Sequence, residues 1–277
     1  MPVIRIAVAV ATEDAMPNAF VVWRGIEQSI EKAATLGYDG VELALKTADQ
    51  VDAARLSSLL AKNGLACPCV STGQVFAGLG LYFTATDQAK RDEVVRVFEG
   101  MIDLAAGLGA MVNIGRARGF IEDGEPRADA VARFVETAKR LTDYAARKNV
   151  TLVLEPVNRY EINFVNSLPE AAELIAEVGA DNLAMMPDLF HMNIEDRTLG
   201  GELERFAKHV AYVHFADSNR LAPGQGHTDF GAVFESLKRM DYDGWGSVEI
   251  LPRPDPDTAA RQAIEFLAPL REEYNRA

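Results

Sequence analysis

Strand-like and helix-like segments alternate along the whole of this 277-residue chain, and a parallel sheet crossed by helices is the architecture that accommodates such a pattern. Short apolar runs predict strands at 4–10, 40–45, 66–72, 110–114, 151–155, 183–188, 211–214 and 246–250. Between them apolar residues recur at helical spacing, most clearly over 91–108, 128–148 and 169–178. Pro169 stands at a helix start, where its fixed φ and missing donor are tolerated. Eight such units predict an α/β chain folded as a (β/α)8 TIM barrel. No Pro/Ser-rich linker, low-complexity run or charge block divides it, so residues 1–277 read as one domain. Two stretches, LGYDGVEL at 36–43 and MDYDGWGSVEI at 240–250, run from a helix end through Tyr-Asp-Gly into a strand carrying Val-Glu. They read as equivalent turns at the bottom of the barrel.

Four runs in the second half each end on a metal-ligand type of side chain: Glu155 after VTLVL, Asp188 after NLAMMP, His214 after VAYV and Glu249 after WGSV. They lie 33, 26 and 35 residues apart, each about one strand, one helix and two loops. Carboxyl ends of parallel barrel strands open onto a common mouth, so these four side chains are expected to converge. Taken singly, each residue is ordinary: an isolated Glu is usually a solvated loop carboxylate, and a lone His a satisfied polar group. Agreement in position across four successive units is what carries the signal.

Each of the first three ends has a polar companion close by in sequence. Glu161 follows Glu155, His191 follows Asp188, and Arg220 follows His214, whereas Glu249 has no such neighbour. Two Glu, one Asp and one His form an oxygen-rich donor set, which suits Mn²⁺, with Mg²⁺ or Co²⁺ as alternatives, better than a structural zinc. Such an ion polarises a ketone and its neighbouring hydroxyl, and two flanking carboxylates can then exchange a carbon-bound proton. That chemistry is sugar isomerisation or epimerisation.

The net charge of −13 and the lack of a Lys/Arg cluster exclude a nucleic-acid surface. The N-terminal MPVIRIAVAVATEDAM is too short in apolar residues for a membrane span and lacks a signal-peptide layout, so a cytoplasmic protein is expected. Cys67 and Cys69 are too few for a disulfide framework and read as reduced core or wall residues.

The segments EPVNRYE, DLFHMNIE, HFADSNRLAPGQGH and VEI resemble those of the ketose 3-epimerases within the xylose-isomerase-like TIM barrels. The resemblance extends over most of the chain, with looser motifs in the first half. It implies that Glu155, Asp188, His214 and Glu249 bind the metal, with Glu155 and Glu249 as the acid/base pair. It also implies that Glu161, His191 and Arg220 hold substrate oxygens, and that the assembly is a homodimer or homotetramer. Within the family, STGQ at 71–74, GRARG at 115–119 and ADSNRLAPGQGH at 216–227 resemble the 5-keto-L-gluconate epimerase subgroup. The implied partner is a small sugar or sugar acid, and Arg116 and Arg118 are placed near its carboxylate, whose geometry a guanidinium fork matches. Leu189, where relatives commonly carry Thr, is expected to alter the pocket wall. An aldose–ketose isomerase such as hydroxypyruvate isomerase uses the same enediolate and stays open as an alternative. A non-catalytic sugar-binding barrel is a second, opposed by the retention of Glu155 and Glu249.

Overall fold

The computed structural model describes residues 2–276. Its strands are β1 (Ile4–Ala11), β2 (Trp23–Arg24), β3 (Gly40–Ala44), β4 (Cys69–Ser71), β5 (Met111–Ile114), β6 (Leu152–Leu154), β7 (Leu183–Met185), β8 (Tyr212–His214) and β9 (Gly244–Val248). Eight coincide with the expected runs. The two-residue β2 was not anticipated; it returns from the loop after β1 and pairs with that strand's end, Val10 with Trp23 and Ala11 with Arg24. All pairings are parallel, in the order β7-β6-β5-β4-β3-β1-β9-β8. The remaining seam, β7 to β8, is stitched by single parallel bridges, Met185 with Val210 and Asp188 with His214, so the sheet closes into a barrel.

The helices are α1 (Ile26–Leu36), α2 (Ala53–Asn63), α3 (Gly73–Leu79), α4 (Gln88–Leu108), α5 (Arg127–Ala146), α6 (Leu168–Val178), α7 (Leu189–Glu195), α8 (Leu199–Arg205), α9 (Phe230–Arg239) and α10 (Pro256–Arg276). Three of them match the segments of clearest helical periodicity to within a few residues. None of the described helices is long and apolar enough to cross a membrane.

Alternation along each strand separates two layers. Ile6, Val8, Leu43, Val112, Leu152, Val213 and Val248 belong to the main core under the helices. Side chains of the other parity, including Cys69, Val153, Met186 and Tyr212, form a separate cluster that fills the barrel interior. Both cysteines are free and buried. The two Tyr-Asp-Gly turns do occupy equivalent places: Gly40 opens β3 and Gly244 opens β9. Their aspartates brace the first strand, Asp39 accepting the Ile6 N–H at 2.8 Å and Asp243 the Val3 N–H at 3.2 Å.

Gly246 in β9 is dictated by packing. A Cβ there would lie 2.1 Å from the Phe215 ring, which is itself wedged against Phe230 and Phe234. Gly246→Ala is therefore expected to cost roughly 1–3 kcal/mol through overpacking; a urea midpoint equal to that of the unsubstituted chain would contradict it.

Candidate metal centre and substrate pocket

All four strand-end residues reach one point. Glu155 and Glu249 each stand one position past a strand, His214 is the last residue of β8, and Asp188 is the N-cap of α7. One ligand atom from each lies within 4.8 Å of all the others. Backbone pairing makes this convergence rigid. Asp188 and His214 are bridge partners, the His214 N–H donates to Pro187 O at 2.8 Å, and the Glu155 N–H donates to Ile114 O at 3.2 Å.

Local hydrogen bonds divide the labour within each ligand. Asp188 Oδ1 accepts the Phe190 N–H at 2.8 Å, capping α7, which leaves Oδ2 buried with no partner. His214 Nε2 lies 3.1 Å from Glu42 Oε2, and that carboxylate also accepts the Tyr212 hydroxyl at 3.0 Å. His214 Nδ1 consequently faces the other ligands, 3.2 Å from Glu155 Oε1 and 3.8 Å from both Asp188 Oδ2 and Glu249 Oε2. It too lacks a hydrogen-bond partner. Orphaned buried lone pairs from a carboxylate and an imidazole, with two more carboxylates beside them, are the donor set a divalent cation satisfies.

The electrostatics lead to the same place. Burial pushes the Glu249 carboxyl up to about 8 against the pull of His214 and Arg220, with Glu155 and Asp188 adding to the rise. Burial would also raise Glu155 and Asp188, but both are held below the ordinary range, Glu155 chiefly by His214 and Asp188 by His191, His214 and Arg220. Burial opposes charge on His214 as well, yet Glu42 and Glu249 drive it well above an ordinary imidazole. Glu249 and His214 are thus the members of the cluster whose protons a cation would displace.

A second tier lies over these ligands. Arg220 donates to Glu249 Oε2 at 2.6 Å and to Glu161 Oε1 at 3.0 Å, with His191 Nε2 at 3.3 Å. Glu249, which has no polar companion in sequence, thereby gains one from another loop. The guanidinium is stacked between Phe20, 3.6 Å to the centroid, and Phe190, 4.8 Å. Arg220 itself sits at φ 60, and the loop that forces this is organised by Asp217, whose carboxylate takes the N–H groups of Ser218, Gly224 and Thr228. His191 is pushed down to about 4 by burial and meets the Asn158 amide at 2.8 Å, so it presents a neutral ring.

The two loop arginines part company. Arg116 lines the pocket with Glu155, Glu161 and Arg220. Arg118 does not reach it: the side chain is fully buried and gives its donors to the carbonyls of Phe164, Gly115 and Val165. A residue two positions from Arg116 in a single 3-10 turn points elsewhere. Leu189 is likewise not a wall residue but part of the main core. Three contributors escaped the sequence reading. Glu42 carried a signal in the paired turns, since strand register puts it level with Ala9 and Glu249 follows Val248, which pairs with Val8. Asn113 donates to Glu155 Oε2 at 3.0 Å and was visible as a lone amide in an apolar run. Phe20, in an irregular loop, left no trace.

A sequence profile of the xylose isomerase-like TIM barrel family matches residues 30–270. The chain belongs to this family. Among its relatives, an L-ribulose 3-epimerase of Methylomonas sp. (strain DH-1) is 34% identical over 79% of this chain and 76% of its own length. A ketose 3-epimerase of Arthrobacter globiformis is 31% identical over 79% and 75%. The solved D-allulose 3-epimerase from Methylomonas sp. in complex with D-allulose superposes with a TM-score of 0.82 at 27% identity, covering 97% of this chain and 98% of that one.

In this family member Glu249 and His214 must shed protons before a cation can enter, so metal affinity is expected to fall as pH drops below about 8. Calorimetry in buffers of different ionisation enthalpy should register proton release at pH 7; binding without release would contradict the assignment. Glu42→Gln, which loosens the grip on His214 Nε2, should weaken metal binding by roughly 10- to 100-fold.

Proposed function

We propose that the chain is a divalent-metal-dependent epimerase of a ketose or keto sugar acid, with Glu155 and Glu249 as its acid/base pair. The observation that carries this reading is the convergence of two glutamates, Glu155 and Glu249, within a single four-residue cluster that could hold a metal ion. A cation held by Glu155, Asp188, His214 and Glu249 supplies Lewis-acid polarisation of the carbonyl and the neighbouring hydroxyl. Manganese is the favoured ion because three of the four donors are carboxylate oxygens.

The chain's own residues do the rest. One of the two glutamates accepts the proton from the carbon beside the carbonyl, and the electron pair of that C–H bond enters an enediolate. The other glutamate delivers a proton to the opposite face, and configuration inverts at one carbon. Which glutamate acts first depends on the configuration of the substrate. Arg220 holds Glu249 in place through its 2.6 Å bond and, with Glu161 and His191, presents donors and acceptors to the substrate hydroxyls. Phe20, stacked on Arg220, excludes water from the reacting carbon. The relatives support inversion over carbonyl migration, since both curated sequences carry the name 3-epimerase.

Glu249→Gln removes one proton carrier while keeping its shape, and turnover is expected to fall by about 10²–10⁴-fold with an unchanged circular dichroism spectrum. Assays of D-fructose, D-tagatose, L-ribulose and a 5-keto-hexonate with Mn²⁺ should give products differing at one carbon, carrying solvent deuterium there. A fully active variant, or products without deuterium, would sink the mechanism.

A further inference from the structure

Arg118 is the largest fully buried side chain among the described residues, and its partners are unusual for a cation. Its hydrogen bonds all go to neutral backbone carbonyls: Phe164 O from Nε at 2.7 Å, Val165 O from Nη2 at 3.1 Å and Gly115 O from Nη1 at 3.0 Å. Burial holds its pKa down to about 10, with Glu155 and Glu161 pulling the other way, so the group is still charged at neutral pH. Taking a cation out of water without a paired anion is costly, and an apolar side chain would fill the space at less cost. What an apolar side chain lacks is a planar fork that reaches several acceptors at once.

The carbonyls it holds belong to a strained bend. Val165 sits at φ 59, a region that a β-branched residue occupies only where surrounding contacts over-determine it. Its side chain is buried in the main core, and its carbonyl accepts the Val157 N–H at 3.2 Å as well as the Arg118 donor. That pairing closes residues 157–165 into a loop with the guanidinium at its root. The loop carries much of the second tier: Glu161 Oε1 accepts from Arg220 at 3.0 Å, and Asn158 meets His191 Nδ1 through its amide at 2.8 Å and its backbone N–H at 3.3 Å. The outer edge of the loop is tied separately, Asn163 exchanging two 2.9 Å bonds with Ile121 and Arg159 clamping Glu195 of α7. Those ties face water, where such contacts contribute little; the bonds from Arg118 are buried.

We propose that Arg118 is a positioning residue for the reaction: its fork onto the Phe164 and Val165 carbonyls sets the bend at the root of loop 157–165, and the bend places Glu161 and Asn158 over the four strand-end residues. Arg118 thus acts through Glu161 and His191 without touching the pocket. This rests on the epimerase reading of the site and adds a buried arginine to the residues that govern its turnover. The strand-end residues answer to a different support, the sheet itself, which holds the Glu155 N–H on Ile114 O. Metal binding is therefore independent of the fork.

The test uses Arg118→Met, which removes the cation and every donor, and Arg118→Lys, which keeps the cation but not the fork. Each is loaded with Mn²⁺ and given the fastest ketose of the panel above, with solvent deuterium entering the carbon beside the carbonyl as the readout. kcat/KM is expected to fall by about 10²-fold in Arg118→Met and by about tenfold in Arg118→Lys, while Mn²⁺ affinity measured by calorimetry is unchanged. In a Glu161→Gln background either substitution should cost less than about threefold further, because residues that act through one another are not additive. Should Arg118→Met fail to fold, Arg118→Lys carries the same cycle. Full activity in both variants overturns the proposal. So does a loss that multiplies undiminished onto Glu161→Gln, or one matched by weaker Mn²⁺ binding, since each marks a general loosening of the barrel mouth. Absence of exchange from every ketose with the unsubstituted chain overturns the epimerase reading, and the positioning role with it.

Discussion

Three carboxylates and an imidazole converge within 4.8 Å at the barrel mouth, and much of the surrounding structure answers the repulsion this creates. Like charges that close, out of water, are tolerated only with counter-charge. Within the described residues that counter-charge comes from Arg220, which touches Glu249 and Glu161 at once, and from His214, held by Glu42. The cluster is therefore tuned from two sides, from beneath by the Glu42–Tyr212 pair in the barrel interior and from above by a stacked guanidinium. The centre invites a cation because neither support makes a hydrogen bond to Asp188 Oδ2 or His214 Nδ1, Arg220 coming no nearer to the carboxylate oxygen than 3.8 Å.

The barrel supplies the rigidity that such a cluster needs. Asp188 and His214 belong to the candidate ligand set and are also backbone bridge partners across the last seam of the sheet, so fold closure and the geometry of the cluster are the same event. The second tier is carried by loops instead. Arg220 sits in a left-handed conformation maintained by Asp217 at the root of its loop, and Phe20 arrives from the segment that Arg24 clamps through the carbonyls of Ala15 and Met16. A strained arginine between two aromatic rings couples roof and floor: displacing Phe20 exposes a guanidinium that both Glu161 and Glu249 depend on.

The reading of the fold from sequence succeeded where local rules coincide with global ones. Buried parallel strands are short apolar runs, and their polar terminators mark the mouth, which is why Glu155, Asp188, His214 and Glu249 were legible hundreds of atoms apart. Arg116 and Arg118 were not separable, because both lie in one 3-10 turn and only the carbonyls of Gly115, Phe164 and Val165 decide which guanidinium turns inward. Leu189 misled for a similar reason: adjacency to a ligand says nothing about which side of a short helix faces the core.

The chain's own sequence determined the barrel class and the four strand-end side chains that converge at the mouth, since periodicity acts locally and adds along the chain. Tertiary structure alone decided that Glu249 answers to Arg220, that Glu42 orients His214, that Phe20 roofs the pocket and that Arg118 turns away from it. Each of these depends on loops from distant units meeting in space, and side-chain direction there is set by turn geometry and packing, which no spacing along the chain encodes.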